Sequence, residues 1–352
     1  MRPRVSLIMP VRDAAAWLGQ AIASVQAQTL TDFELIVVDD GSLDQSAALA
    51  EASAQSDARI RVLRQGKRGL VAALNRGLAE AGGELIARLD ADDRAHPQRL
   101  ERQAKYLDQR PDIGLLGTWA DKIDADGAPC GVLEPPVDPD ELAALLPRSN
   151  PFVHSSVMLR GAVLRQVGPY RGAFEGAEDY DLWLRVAEVA KIANLPERLL
   201  QYRWHRASAT HRAGVRQLFS TRLAQRAARA RRSEGRDPAA VLTAPPDWRR
   251  PESLRVPLYA DLVPFYRLLD LGERTDLAGL DPADVDISVL RDRKIILSHA
   301  ERRMAQLALI NLLRQGVMPA QSSYASLLRQ LVRLHPLRAL RLGLQSLRQG
   351  SA

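Results

Sequence analysis

Apolar residues come in short runs, and each run breaks off at a polar or acidic group. Val5 to Met9 is β-branched and apolar and stops at Pro10. Phe33 to Val38 ends in Asp39-Asp40-Gly41-Ser42, and Ile60 to Leu63 is shorter and edge-like. Glu84 to Leu89 runs into Asp90, Asp92 and Asp93, three acids in four residues. Such runs predict buried parallel strands with polar C-terminal ends. Between them the spacing turns helical. Trp17, Leu18, Ile22 and Val25 share one face, with Asp13 as the predicted cap, and Leu70, Leu74 and Leu78 share another after Arg68-Gly69. Strand and helix alternate every 25–30 residues or so, which predicts an α/β chain with right-handed crossovers.

Later segments are read the same way. Ile113 to Trp119 predicts a strand, and Asp121 to Gly131 a hairpin turning at Asp124-Ala125-Asp126-Gly127. Asn150 to Ser156 is expected near a substrate groove, with His154 either a contact or a structural residue. Glu175 to Arg185 leads into an amphipathic helix carrying Tyr180, Leu182, Trp183 and Val186. Glu178 and Asp179 fall in its first turn, where the helix dipole favours ionised carboxylates. A plain cap and a working acid are both compatible with that position.

The acids at the strand ends carry the chemistry. Ligands of open α/β sheets sit beyond the carboxyl ends of the strands. Two carboxylates about 4 Å apart repel by roughly 4 kcal/mol at an effective dielectric near 20. A divalent cation removes that cost, and hard oxygen ligands suit Mn2+ or Mg2+. The competing reading is a solvated turn, with Asp93 capping a helix that begins near Pro97. A dinucleotide-binding dehydrogenase is disfavoured, because Pro10-Val11-Arg12-Asp13 offers no glycine for a pyrophosphate to approach.

Composition changes the picture mainly at the C-terminus. Hydrophobic residues make up 46% and charged residues 26%, an ordinary soluble balance. Cys130 is the single cysteine, so no intramolecular disulfide forms, and it reads as a small core or loop residue. The opening apolar run is too short for a signal-peptide core, and no window of 18 apolar residues occurs. A cytoplasmic protein is expected, with peripheral attachment to the inner membrane face as an option. The net charge is +7, yet the chain after Glu301 contains eight arginines and no acid. Leu218 to Arg232 and Ile295 to Leu313 predict helices, and Asp237 to Pro251 reads as a linker. Leu337, Leu340, Leu344 and Leu347 share a face beside Arg338, Arg341 and Arg348. That face suits an anionic membrane surface, or else packs on the rest of the chain. Nucleic acid ranks well below, since Tyr324 is the sole aromatic after residue 302.

An ordered series of segments resembles the family 2 glycosyltransferases: VSLIMPVRD (5–13), SVQAQ (24–28), FELIVVDDGSLD (33–44), RGLVAALNRGL (68–78), ARLDADD (87–93), HPQRLERQ (96–103), HSSVMLR (154–160), AEDYDLWLR (177–185) and LLQYRWHRAS (199–208). The resemblance implies a GT-A, Rossmann-like, mixed and mostly parallel sheet flanked by helices over residues 1–212, followed by a helical, basic C-terminal region over 213–352. It implies an inverting enzyme that moves a sugar from a nucleotide-sugar, commonly a UDP-sugar, to an acceptor hydroxyl. The setting would be surface polysaccharide or glycolipid assembly, with a glycan or lipid-linked acceptor. Carried onto this chain, Pro10, Arg12, Asp39, Asp40, Arg68, Arg88 and Asp90 would face the nucleotide-sugar. Asp90, Asp92 and His205 would be metal-side residues, Asp179 the base, and His154, Glu178 and Trp183 acceptor-side residues. The alternative is a non-catalytic nucleotide-sugar-binding or scaffold protein of the same fold.

Overall fold

The computed structural model describes residues 2–205, 214–277, 280, 285–291, 297–315, 317, 319, 329 and 330. The chain divides into two compact units, Met1–Arg212 with Ala224–Ala244, and Ala213–Leu223 with Pro245–Ala352.

The first unit is built on one mixed sheet. Its parallel part contains β1 (Val5–Val11), β2 (Phe33–Asp40), β3 (Ile60–Gln65) and β4 (Leu85–Arg88), in the order β3-β2-β1-β4. Helices α1 (Ala15–Gln26), α2 (Ser46–Ser56) and α3 (Leu70–Glu80) make the crossovers. All seven residues of β1 are buried, as a continuous apolar run in a doubly covered sheet requires. The close approach of α3 depends on Gly77. A Cβ there would lie 2.6 Å from Ile8 Cγ2.

Beyond β4 the chain adds β5 (Arg94–Ala95), α4 (Arg99–Gln109), β6 (Ile113–Ile123), β7 (Pro129–Leu133), α5 (Pro139–Leu145), β8 (Met158–Arg160), α6 (Gly161–Val167), α7 (Glu178–Val186) and β9 (Lys191–Arg203). The sheet continues β4-β8-β6-β9-β5, and β7 pairs with β6. Strand β8 is antiparallel to both β4 and β6, while β6 and β9 are parallel. The predicted hairpin forms between β6 and β7, and Gly127 N donates to Asp124 O at 3.1 Å across its turn.

Two local expectations fail. Asp13 does not cap α1: the N-cap position is Ala14, with no side-chain hydrogen bond. Asp13 instead adopts φ 48, and its Oδ1 accepts from Leu43 N at 2.7 Å, tying the loop after β1 to the loop after β2. Leu70 is 38% exposed, and α3 buries Ala73, Leu74 and Gly77.

Residues 224–244 join the first unit through charge. Arg171 Nε donates to Asp181 Oδ2 at 2.9 Å, and Arg171 Nη1 to Asp237 Oδ2 at 2.6 Å. Arg231 Nη1 reaches Asp237 at 3.1 Å, and its Nε reaches Glu188 at 2.9 Å. Asp181 is fully buried on α7.

The second unit holds the start of α8 (Val215–Glu234), with α9 (Val263–Asp270) and α10 (His299–Arg314). Phe219 packs on Trp248, Tyr259 and Tyr266, and Arg222 pairs with Glu301 at 2.6 Å. The predicted helices over 218–232 and 295–313 correspond to α8 and α10. No helix among the described residues is long and apolar enough to cross a membrane. The basic face expected over 337–348 lies outside the described residues.

Candidate active site

Strand register brings the polar ends together. Ile8 pairs with Ile36 on one side and Arg88 on the other, and Val11 pairs with Asp39. Leu89 N donates to Ile8 O at 3.1 Å, which carries the alignment one residue past β4. Pro10, Asp39 and Asp90 therefore emerge at the same edge of the sheet.

The two acids after β2 differ. Asp39 is 2% exposed, and its Oδ1 accepts from Ser42 N at 3.3 Å. Asp40 accepts from Gln65 Nε2, Arg68 N and Gly69 N at 2.7–2.8 Å, with Arg12 Nη1 at 3.9 Å. Burial opposes its ionisation, but these donors and the Arg12 charge hold its carboxyl below the usual range. Asp40 braces the loop that opens α3. Gly41 makes the turn possible: its φ is +70, and a Cβ would meet Lys67 N at 2.8 Å. Arg68 reaches Asp40 through its backbone, and its side chain is exposed.

Asp90, Asp92 and Asp93 each offer a carboxylate oxygen, all within 4.8 Å of one another, so they could hold a metal ion. Asp90 pairs with Arg88, and its backbone N donates to Ser155 Oγ at 2.9 Å. Burial pushes the Asp90 carboxyl up to about 6. Arg88 opposes the shift, while Asp92 and Asp179 add to it. His205 Nε2 lies 2.9 Å from Asp92 Oδ2, and its ring sits on Trp17 with centroids 4.3 Å apart. Asp93 is 1% exposed and accepts from Arg203 N at 2.7 Å. Burial and the neighbouring Asp92 and Asp90 charges push its carboxyl well up. Asp93 is no helix cap, since α4 starts at Arg99 with Gln98 at its N-cap.

Arg203 was not singled out from the sequence. It is 1% exposed, and it donates through Nε to Asp92 O at 2.8 Å and through Nη1 to Asp124 O and Ala125 O. It locks the acidic loop to the hairpin turn. Its only signal was its place in the segment at 199–208.

The other wall is the start of α7. Asp179 Oδ1 accepts from Tyr180 N at 2.6 Å, and Oδ2 from Asn150 Nδ2 at 2.7 Å. Burial raises the Asp179 carboxyl, against these donors and the Arg88 charge. Glu178 is 6% exposed, and burial followed by the Asp179 charge pushes it up to about 7. Arg88 is 5% exposed, and its charge acts on Asp90, Asp93 and Asp179 alike. The acids at the end of β4 and those at the start of α7 thus share one electrostatic site.

His154 Nε2 and Tyr170 Oη lie 2.9 Å apart, and burial with the Arg88 charge holds the imidazole well below its usual pKa. Trp183, expected on the acceptor side, is fully buried. It packs against Phe152, His154 and Tyr170 at centroid distances of 5.7–6.5 Å. It supports α7 from within the core and presents no surface to a ligand.

Comparison with known proteins identifies the family. The family model described as Glycosyl transferase family 2 matches residues 6–157. The chain is similar to the O-antigen biosynthesis protein RfbC of Myxococcus xanthus, 36% identical over 222 residues. That match covers 61% of this chain but only 17% of RfbC. The O-antigen biosynthesis glycosyltransferase WbnJ of Escherichia coli is 34% identical over 208 residues, covering 58% of this chain and 81% of WbnJ. Among solved structures, S. aureus TarS 1-349 in complex with UDP-GlcNAc aligns with a TM-score of 0.57 at 16% identity, over 90% of this chain and 92% of that one. The mannosyltransferase PcManGT from Pyrobaculum calidifontis, in complex with GDP-Man and Mn2+, aligns with a TM-score of 0.52 at 17% identity, over 97% and 81%. The two structures establish a common fold, and with relatives covered at this depth the chain belongs to the family 2 glycosyltransferases, on a GT-A fold.

Proposed function

We propose that this chain is an inverting, metal-dependent glycosyltransferase. It moves a sugar from a nucleotide-sugar, a UDP-sugar foremost, to a hydroxyl of a glycan or lipid-linked acceptor in surface polysaccharide or glycolipid assembly. The observation that carries the reading is the gathering of Asp90, Asp92 and Asp93 just beyond β4, where Asp90 pairs with the buried Arg88. A donor's diphosphate needs a cation, which acids can hold, and an acceptor's hydroxyl needs a base on the other side of the reacting carbon.

The donor set fits a divalent cation. Three carboxylate oxygens crowd within 4.8 Å, and two of the three carboxyls are driven upward by burial and mutual charge. Asp90 and Asp92 would hold the ion, with His205 beside Asp92. Bound there, Mn2+ or Mg2+ would supply Lewis-acid stabilisation of diphosphate charge. The complex of PcManGT with GDP-Man and Mn2+, and that of TarS with UDP-GlcNAc, support this donor class.

The chain's own residues do the rest. Pro10, Arg12 and Asp39 line the nucleotide edge, and Asp40 keeps that edge in shape. Asp179 takes the proton of the acceptor hydroxyl. The hydroxyl oxygen bonds to the anomeric carbon from the face opposite the diphosphate, and the carbon–phosphate oxygen bond breaks with its electron pair leaving on the diphosphate. One displacement inverts the anomeric centre, through an oxocarbenium-like state. Glu178 and His154 flank the acceptor side. The transferase domain is assigned to residues 1–212 with 224–244. The arginine-rich stretch after Glu301 would draw the protein to an anionic membrane surface.

A thermal-shift panel of UDP-, GDP- and dTDP-sugars, with and without MnCl2, tests the reading. One donor should stabilise the protein, more so with Mn2+. No shift with any donor would remove it.

A further inference from the structure

We propose that Asn150 is a positioning residue that holds the Asp179 carboxylate in the orientation a base requires. This deepens the proposed function and rests on Asp179 being the base.

Asn150 lies 29 residues before Asp179, on the loop that follows α5, and its Nδ2 donates to Asp179 Oδ2 at 2.7 Å. The amide has no freedom to turn over. Its Oδ1 already accepts from Phe152 N at 3.1 Å, so the two donors of its NH2 group must face outward to Asp179. Phe152 is itself buried against Trp183. The far end of the carboxylate is fixed separately, by Tyr180 N on Oδ1. Tyr180 is anchored in turn by its hydroxyl, which donates to Leu146 O at 2.6 Å. Two donors on two oxygens define the plane of the acid and leave further lone pairs on each oxygen for a proton.

A restraint matters because the Arg88 charge acts on Asp179. Arg88 at the end of β4 is buried, and its Nε has no hydrogen-bond partner while its Nη2 is taken by Asp90. A buried unpaired guanidinium N–H attracts any mobile carboxylate. An Asp179 that swung onto Arg88 would be neutralised as a base. Asn150 ties it to the opposite loop. The charged and titratable groups that act on Asp179 or share its field are Arg88 at the end of β4, Asp90 in the loop after it, Glu178 on its own helix, and Tyr170.

The test uses the full chain with the donor that gives the largest thermal shift, MnCl2, water as the acceptor, and nucleoside diphosphate release as the assay. Asn150→Ala should lower kcat about 10- to 100-fold, the cost of a misplaced catalytic group, with the donor KM within about twofold of wild type. Asn150→Asp sets a second carboxylate against Asp179, and should move the acidic limb of the pH–rate profile up by about one unit or more. Asp179→Asn is run beside them. If Asp179→Asn is inactive and Asn150→Ala keeps wild-type kcat with an unmoved limb for Asn150→Asp, the positioning role is overturned alone. If Asp179→Asn turns over like wild type, the base assignment fails and takes this proposal with it. Asn150 is exposed, so folding should survive its replacement, which an unchanged melting curve checks.

Discussion

His205 and Asp92 are 113 residues apart in the chain, yet the imidazole Nε2 meets the Asp92 Oδ2 at 2.9 Å. Trp17 backs the imidazole from a third segment. Groups that orient a ligating carboxylate change metal affinity by about 10- to 100-fold when removed. His205→Ala should therefore shift the MnCl2 midpoint for thermal stabilisation upward by that factor. An unchanged midpoint would separate His205 from the acidic cluster.

Asp179→Asn keeps the shape of the side chain but removes its basicity. General base catalysis contributes about 10²- to 10⁴-fold. Turnover should fall by that range while the donor-induced thermal shift stays near wild type. Loss of donor binding together with turnover would instead place Asp179 on the donor.

Glu178 makes stability depend on pH in an unusual direction. Burial and the Asp179 charge raise its carboxyl from 4.5 to about 7. The folded state therefore favours the protonated acid. Its contribution is fully present below pH 4.5 and is lost as pH rises toward about 7, opposite to a salt-bridged carboxylate. Glu178→Gln should raise stability at pH 8 by something on the order of 1–3 kcal/mol and leave it unchanged at pH 4. Denaturant melts at the two pH values measure this. An equal effect at both would show that burial does not set the shift.

Gly77→Ala tests the packing that aligns β1. The added methyl would sit 2.6 Å from Ile8 Cγ2. Overpacking of this kind costs about 1–3 kcal/mol. A lower melting temperature is expected, with reduced donor stabilisation because Ile8 leads into Pro10. A melting temperature equal to wild type would mean that α3 yields freely.

Much of the parallel half was legible because its strands are apolar runs that stop abruptly. Val5 to Met9, Phe33 to Val38 and Glu84 to Leu89 each announce a buried strand and a polar tip. The same local logic failed at Asp13, whose side chain serves a loop thirty residues on rather than its own helix. It failed at β8, which has three residues and no alternation to read. The segment at Asn150 was legible as part of a groove, but the roles of Arg203 and Asn150 were not, for a shared reason. Each acts through hydrogen bonds to residues distant in sequence, and a polar residue in a loop carries no local mark of its partner. Trp183 sat in a telling motif, but its aromatic bulk fills the core.

Arg171 bridges Asp181 to Asp237, and Asp237 is also held by Arg231. A protein shortened to end at Arg212 would strip away Asp237 and Arg231, leaving Arg171 with Asp181 alone and Glu188 without its Arg231 partner beside the helix that bears Asp179. Any attempt to excise or transplant the sugar-transferring portion should therefore carry the chain through Ala244, even though its path in between belongs to the other unit.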